Sequence, residues 1–419
     1  MPAARSAKAS GCPFAYLASL GVRLDATTHA LFHSAPAPLL EPAASSDDEA
    51  DAPLSARLQA GTSAAHTRIE RSRGVRALMG FGAGAEGAAA ALERREYMAW
   101  LVGLACVYAA IEAYLPVPAT LLAGLQHSDM LPALARLAPL EADVLAHARF
   151  LGGVDPNVSA PADEADVFAL LAHSDAGSAS HVALSALMES VPRHTSFPRD
   201  EHLALLSPAH AEATHAYASR LFELGTAASS GASTPSSESA FRTAYTAPLG
   251  PGTLVAHAYV RYMGDLSGGQ HIAKRARALW PLGLEENTGF ESYVFAKPAA
   301  WTGTQRAWEG DLKRRFRDAM DGAFAQLEDE KEGVASVLVD EASLAFDLNR
   351  GLFDALVPSS EEDDARELAA LLAASAPALA KTASALSSPR ARSLLPSLPT
   401  LAVGLLAVAT GLSSSALSA

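Results

Sequence analysis

Asp265 stands between Gly264 and Gly268 in the stretch "AYVRYMGDLSGGQHIAKRARALW", residues 258 to 280, with Gly269 directly following. In a helix interior each glycine costs about 0.5–1 kcal/mol relative to alanine, so three together call for compensation. Gly264 and Gly268 lie one helical turn apart, which strips two side chains from one face and lets a flat object approach the backbone. The adjacent pair Gly268 and Gly269 predicts a kink. A carboxylate on so thin a face would be partly buried and would need polar partners or water. Close packing of two helices in a soluble core explains the glycines as well, and the residues alone leave both explanations open. A phosphate loop would need GKS/T or GxGxxG spacing, which is absent, and Asp265 with Arg261 argues against a membrane GxxxG interface.

The second candidate is His66, in "GTSAAHTRIERS". It borders an apolar stripe of Leu54, Leu58, Thr62, Ala65 and Ile69, and Glu70 follows at i+4 on the same side. Such a histidine is commonly a satisfied boundary residue. A neutral imidazole in an apolar groove is also the usual axial ligand of haem iron, its second nitrogen oriented by an acceptor such as Glu70. His127, His147, His173, His194, His210, His215 and His257 form no HExxH-type constellation.

The elements that must position these residues are helical. Of the 419 residues 49% are hydrophobic and only 6% aromatic, alanine and leucine dominate, and runs of alternating β-branched residues are scarce, so an all-α protein is expected. A helical pattern begins at Leu54. A helix over 96–115, apolar on nearly all sides, should be buried, and Pro116 ends it. The segment 130–153 closes on a glycine pair. Residues 154–205 break pattern around a short helix at 165–172. A helix with Ser207 as cap and Pro208 at its first position ends at Gly225. Two more cover about 304–330 and 332–356.

The net charge of −14 argues against a nucleic-acid partner. Two cysteines far apart, Cys12 and Cys106, suggest a reducing compartment and no thiolate zinc site. Residues 1–52 read as a solvated, disordered extension, faintly like a transit peptide before the acidic "SSDDEADAP", with Cys12-Pro13 as a candidate haem-responsive dipeptide. The Ser-rich loop around 226–248 is flexible by composition. A linker over 358–389 leads to a hydrophobic tail, 390–419, whose charge-free stretch 394–412 follows Arg390 and Arg392 and suggests a membrane anchor.

With both helices assembled, the chain resembles the haem oxygenase family of the eukaryotic, membrane-anchored type. The match rests on "AHAYVRYMGDLSGGQ", 256–270, on "LSARLQAGTSAAHTRIE", 54–70, with "VYAAIEAYL" following, and on "DEASLAFDLNRGLFDAL", 340–356. It covers roughly 54–150, 206–224, 249–285 and 304–357 of one helical domain, 53–357; the stretches 154–205 and 226–248 look like insertions.

The resemblance implies haem b, both cofactor and substrate, between a proximal and a kinked distal helix. His66 would be the axial ligand, with Gly264, Gly268 and Gly269 letting the distal helix lie over the porphyrin. Asp265 would hold the water network that delivers protons to bound oxygen, so that attack falls on the α-meso carbon. Products would be biliverdin, carbon monoxide and ferrous iron. Tyr108 and Arg261 match residues that extend the distal network, and Tyr259 an aromatic beside the haem edge. Lys313 and Arg317 match the propionate-facing basic pair; Phe346 and Phe353 match pocket-lining positions. The family's lysine seven residues before the proximal histidine is Gln59 here, which bears on haem orientation. Electrons would come from NADPH through a flavoprotein reductase such as NADPH-cytochrome P450 reductase, drawn to Lys274, Arg275, Arg277, Lys313, Arg314 and Arg315, with a biliverdin reductase as a further partner. The location implied is the cytosolic face of the endoplasmic reticulum membrane, with mitochondrial or cytosolic residence as alternatives. A non-catalytic haem sensor or carrier is the other functional reading. Thiamin or di-iron chemistry on a related helical fold would need clustered carboxylates and histidines or a nucleophilic cysteine, and Cys106 in the buried helix is most simply a small hydrophobe.

Overall fold

The computed structural model describes residues 52–79, 92–115, 130–153, 164–192, 196–229, 251–282, 287–327 and 331–357. The amino-terminal extension with Cys12-Pro13, most of the Ser-rich loop, the linker 358–389 and the hydrophobic tail lie outside the described residues. All regular elements among the described residues are helical, as the composition requires.

Three short helices open the domain: α1 (Leu54–Gly61), α2 (Ser63–Glu70) and α3 (Arg73–Met79). The stripe of Leu54, Leu58, Thr62, Ala65 and Ile69 is buried throughout. Thr62 separates α1 from α2 at φ −94°, ψ 2°, and its hydroxyl donates to the Leu58 carbonyl at 2.6 Å. Next comes α4 (Arg94–Tyr114), in which every residue from Tyr97 to Ile111 is buried. It is long and apolar enough to cross a membrane by length and composition, yet it lies inside the bundle. Helices α5 (Met130–Leu134) and α6 (Leu137–Leu151) follow, and Gly153 closes the segment at φ 70°, a conformation that suits glycine.

The stretch read as patternless holds more structure than expected: α7 (Glu164–Leu171), α8 (Ala179–Ser190) and α9 (Asp200–Leu203). The short helix at 165–172 is α7. Helix α8 escapes an apolar count because its buried face is His181, Leu184 and Met188, one of them a histidine. Helix α10 (Pro208–Ser229) starts as predicted, the His210 N–H donating to Ser207 Oγ at 3.3 Å, but runs past Gly225. That glycine is no terminator: a Cβ there would overlap the Tyr114 ring, so it serves the close crossing of α10 and α4. The chain continues through a 3-10 turn (Pro251–Thr253), α11 (Leu254–Gly264), a π-helical turn (Asp265–Gly269), α12 (Gln270–Leu279), a second 3-10 turn (Glu291–Tyr293), α13 (Gln305–Ala325) and α14 (Lys331–Asp354).

Helix α4 packs between α10 and α6, while α14 touches α1, α2, α3, α4, α10 and α11. Helices α2 and α11 both rest on α14, and extensive packing of one on the other is absent among the described residues. Carboxylates at the carboxyl-terminal side of the bundle tie down the opening helices. Asp321 accepts from the Ser55 N–H and hydroxyl, both at 2.7 Å, and Asp354 accepts from the Gly74 N–H at 3.1 Å.

Around α8–α10, histidines take the third helical position, where a capping box normally has Glu or Gln. Ser178 Oγ lies 2.8 Å from His181 Nδ1, Ser207 Oγ 2.8 Å from His210 Nδ1, and the Arg199 N–H donates to His202 Nδ1 at 2.9 Å. Burial, helped by Arg199, lowers His202 to about 4. Burial, helped by His173, lowers His210 to about 4. In the unfolded chain both titrate near about 6.5. Their neutral forms are therefore favoured on folding: stability is full above about pH 6.5 and is lost as pH falls toward about 4. Denaturant midpoints measured from pH 7 to 4.5 should drop steeply for the wild type and less steeply for His202→Gln and His210→Gln; equal slopes would contradict the assignment.

Candidate functional site

Between α2, the π turn and α14 lies a cleft enclosing about 870 Å³ of empty space, mouth included. Its walls include His66 and Glu70 from α2, Tyr108 from α4, and Phe346 and Phe353 from α14. Arg261, Gly264, Asp265, Gly268 and Gly269 complete the opposite side. Two candidates some 200 residues apart in sequence thus face one space. Spacing explains the distal set: Arg261, Asp265 and Gly268 recur at four and three residues, which keeps them on one helical face.

The glycines do not serve helix packing. A Cβ at Gly264 or Gly268 would meet no protein atom within 4 Å, and one at Gly269 would make ordinary contacts with Asp265 and Tyr293. The first two face open space over the cleft. Where a kink is expected the chain forms a π-helical turn, with Gly264, Asp265, Gly269 and Gln270 all at right-handed helical dihedrals. Such turns are rare and frequent at functional sites.

Asp265 is held from two sides. Arg261 Nη2 donates to Oδ1 at 3.0 Å, and the Tyr108 hydroxyl donates to Oδ2. Arg261 in turn donates through Nη1 to Asn349 Oδ1 of α14 at 2.7 Å. An ionised carboxylate has about four acceptor positions. Two are filled by protein, so the remainder can accept from water in the cleft. Burial, then Asp265, raises the Tyr108 phenol well above its usual value despite Arg261, so it stays a neutral donor. Burial alone would lower the Arg261 guanidinium, but Asp265 and Tyr108 raise it above its usual range.

On the opposite wall the His66 side chain is 56% exposed, its Nδ1 lies 3.5 Å from Glu70 Oε1, and its ring meets Phe346 edge-on at 5.5 Å. Glu70 is the carboxylate nearest to Nδ1, and among the described residues Nε2 has no protein partner. A metal-binding imidazole presents this arrangement. No group of three or more His, Cys, Asp or Glu able to hold a bare ion occurs among the described residues.

Three expected residues are placed elsewhere. Tyr259, Lys313 and Arg317 are not in the cleft wall. Tyr259 precedes Arg261 by two positions, about 200° around the helix, and faces α13, where Arg317 and Asp321 act on its phenol. Lys313 is pulled below its usual value by burial and by Arg317. Of the basic residues assigned to a partner surface, Arg275 donates to the Leu78 carbonyl at 3.2 Å, Arg277 to Asn287 at 3.0 Å, and Arg314 pairs with Asp311. Gln59 is exposed, and Cys106 is buried within α4.

The sequence reading passed over Asn349, Arg136, Trp100 and Tyr293, all of which line the cleft. Arg136 is buried and donates to the carbonyls of Leu134, Ser292, Val294 and Ala133 at 3.0–3.1 Å. The Tyr293 and Tyr97 hydroxyls are 3.0 Å apart. Asp143 accepts from the Glu291 and Ser292 N–H groups at 2.6 and 2.9 Å, fixing the turn that carries Tyr293; burial raises it to about 7. Only Asn349 had a sequence signal, an amide on the apolar stripe of α14.

Fold and site define an all-α protein with a ligand cleft walled by two helices on a common third. Residues 229–355 match the family model described as "Heme oxygenase". Over 106 residues the chain is 36% identical to the heme oxygenase of Porphyra purpurea, covering 25% of this chain and 39% of that relative. It is 37% identical over 117 residues to heme oxygenase 2 of Oryctolagus cuniculus, covering 26% of this chain and 33% of that protein. The chain thus matches two fifths or less of these relatives' length. The crystal structure of heme oxygenase-1 from the cyanobacterium Synechocystis in complex with heme aligns at TM-score 0.43 and 21% identity, covering 77% of this chain and 99% of that one. Over the matched segment the chain is similar to the haem oxygenase family.

The open space over Gly268 can be tested directly. Gly268→Leu should fold, gain about 0.5–1 kcal/mol of helix propensity in the ligand-free protein, and weaken haem binding at least tenfold by filling the cleft. A lowered unfolding midpoint with undiminished haem affinity would show that the glycine serves packing instead.

Proposed function

We propose that the protein is a haem oxygenase, and the observation that carries this reading is the opposition of His66 and Asp265 across one cleft. Haem is substrate as well as cofactor here: its iron supplies the dioxygen chemistry that opens the ring at the α-meso carbon, giving biliverdin, carbon monoxide and ferrous iron. The protein's part is placement and proton supply. His66 Nε2 would hold the iron, and Glu70, 3.5 Å from Nδ1, is placed to orient the ring. The bare backbone at Gly264 and Gly268 leaves room for the macrocycle. Asp265 holds water at its unfilled acceptor positions and relays protons, while Tyr108, Arg261 and Asn349 keep its carboxylate in place. A haem carrier has no need of a carboxylate held from both sides next to the ligand, so the same network favours turnover over storage.

Electrons would come from NADPH through a flavoprotein reductase, met at basic residues such as Lys274 and Lys313. Residence on the cytosolic face of the endoplasmic reticulum membrane is supported by the charge-free stretch 394–412 after Arg390 and Arg392.

Purified protein supplied with haem, reductase and NADPH should form biliverdin. Asp265→Ala should keep haem yet form biliverdin at least a hundredfold more slowly, in the range by which a positioned acid–base group contributes, about 10²–10⁴. Haem that binds to the wild type and survives repeated turnover unchanged would overturn the reading.

A further inference from the structure

Arg68 and Asp347 form a second link across the walls of the cleft, outside the set that holds Asp265. Arg68 follows His66 by two residues on α2, and Asp347 directly follows Phe346, whose ring meets His66. The guanidinium grips both carboxylate oxygens, Nε to Oδ1 at 3.2 Å and Nη2 to Oδ2 at 2.9 Å. The Asp347 side chain is buried at 5% exposure and Arg68 is about half exposed. Neither residue lines the cleft.

Packing alone does not call for charges here. A buried ion pair is often no more stabilising than apolar side chains of similar volume, but its planar two-bond geometry fixes direction as well as distance. Its place on α14 gives that direction meaning. Two residues further on, Asn349 accepts from Arg261 of α11 at 2.7 Å. One turn of α14 therefore grips the His66 wall through Asp347 and the Asp265 wall through Asn349.

We propose that Arg68 and Asp347 are positioning residues that set where His66 stands relative to Asp265 across the cleft. The proposal rests on the reading of His66 as the haem ligand. It is a link between elements: Arg68 registers α2 on the same helical turn that registers the distal helix, so the separation of the two walls is determined within four residues of α14.

The test uses the full chain without haem, followed by hydrogen–deuterium exchange. Arg68→Met and Asp347→Leu should each raise exchange of the α2 amides, residues 63–70, about tenfold, with α12 unchanged. The double variant should exchange no faster than either single, and Arg68→Lys should fall between wild type and Arg68→Met. Haem-loaded single variants should show a broadened or doubled iron–imidazole stretching band where the wild type shows one. Unchanged α2 exchange, strictly additive effects, or an unchanged single band in the haem-loaded singles would overturn the proposal. A wild type that takes up no haem would overturn the functional reading instead, while the exchange measurements still decide whether the pair registers α2.

Discussion

Helices α2 and α11 share a floor without packing extensively on each other, and the rest of the site depends on that separation. Two helices on a common third would ordinarily close together to bury apolar surface, at about 25 cal/mol per Å². Here several features keep them apart. Gly264 and Gly268 withhold the side chains that would bridge the space. Directional bonds to α14 hold each wall separately, Arg68 with Asp347 on one side and Arg261 with Asn349 on the other. A cleft kept open in this way requires a rigid floor. Helix α14 is rigid because it packs on six other helices, with Leu338, Ala342, Ala345 and Leu352 all buried.

The same floor explains the electrostatics of the distal wall. A buried guanidinium is costly unless its charge is met, and Arg261 meets Asp265 four residues along its own helix. Asp265 thereby gains a fixed direction, and the Tyr108 hydroxyl fixes its other oxygen. The carboxylate cannot turn away from the cleft without stranding Arg261. That coupling makes the Asp265 carboxylate a structural fixture of the cleft.

Much of this was legible in the sequence because it is local. The helical class followed from composition, α4 from its unbroken apolar run, and the distal face from the spacing of Arg261, Gly264, Asp265 and Gly268. The pairing of His66 with that face came from resemblance; residue spacing alone left it a boundary histidine. What stayed hidden was long-range. Arg68 and Asp347 look like ordinary surface charges until α2 is laid on α14, and Asn349 has no visible partner 88 residues away from Arg261. Gly225 reads as a helix terminator because its reason, the Tyr114 ring, belongs to α4. Helix α8 was missed because a histidine completes its buried face.

The most direct test of the site is equilibrium titration of the purified chain with haem, wild type beside His66→Ala, followed by addition of free imidazole to the variant. The account predicts one haem per chain with a histidine-ligated spectrum, loss of that spectrum in His66→Ala, and its return when imidazole fills the vacated position. An identical spectrum in wild type and His66→Ala would place the iron ligand elsewhere and contradict the central claim.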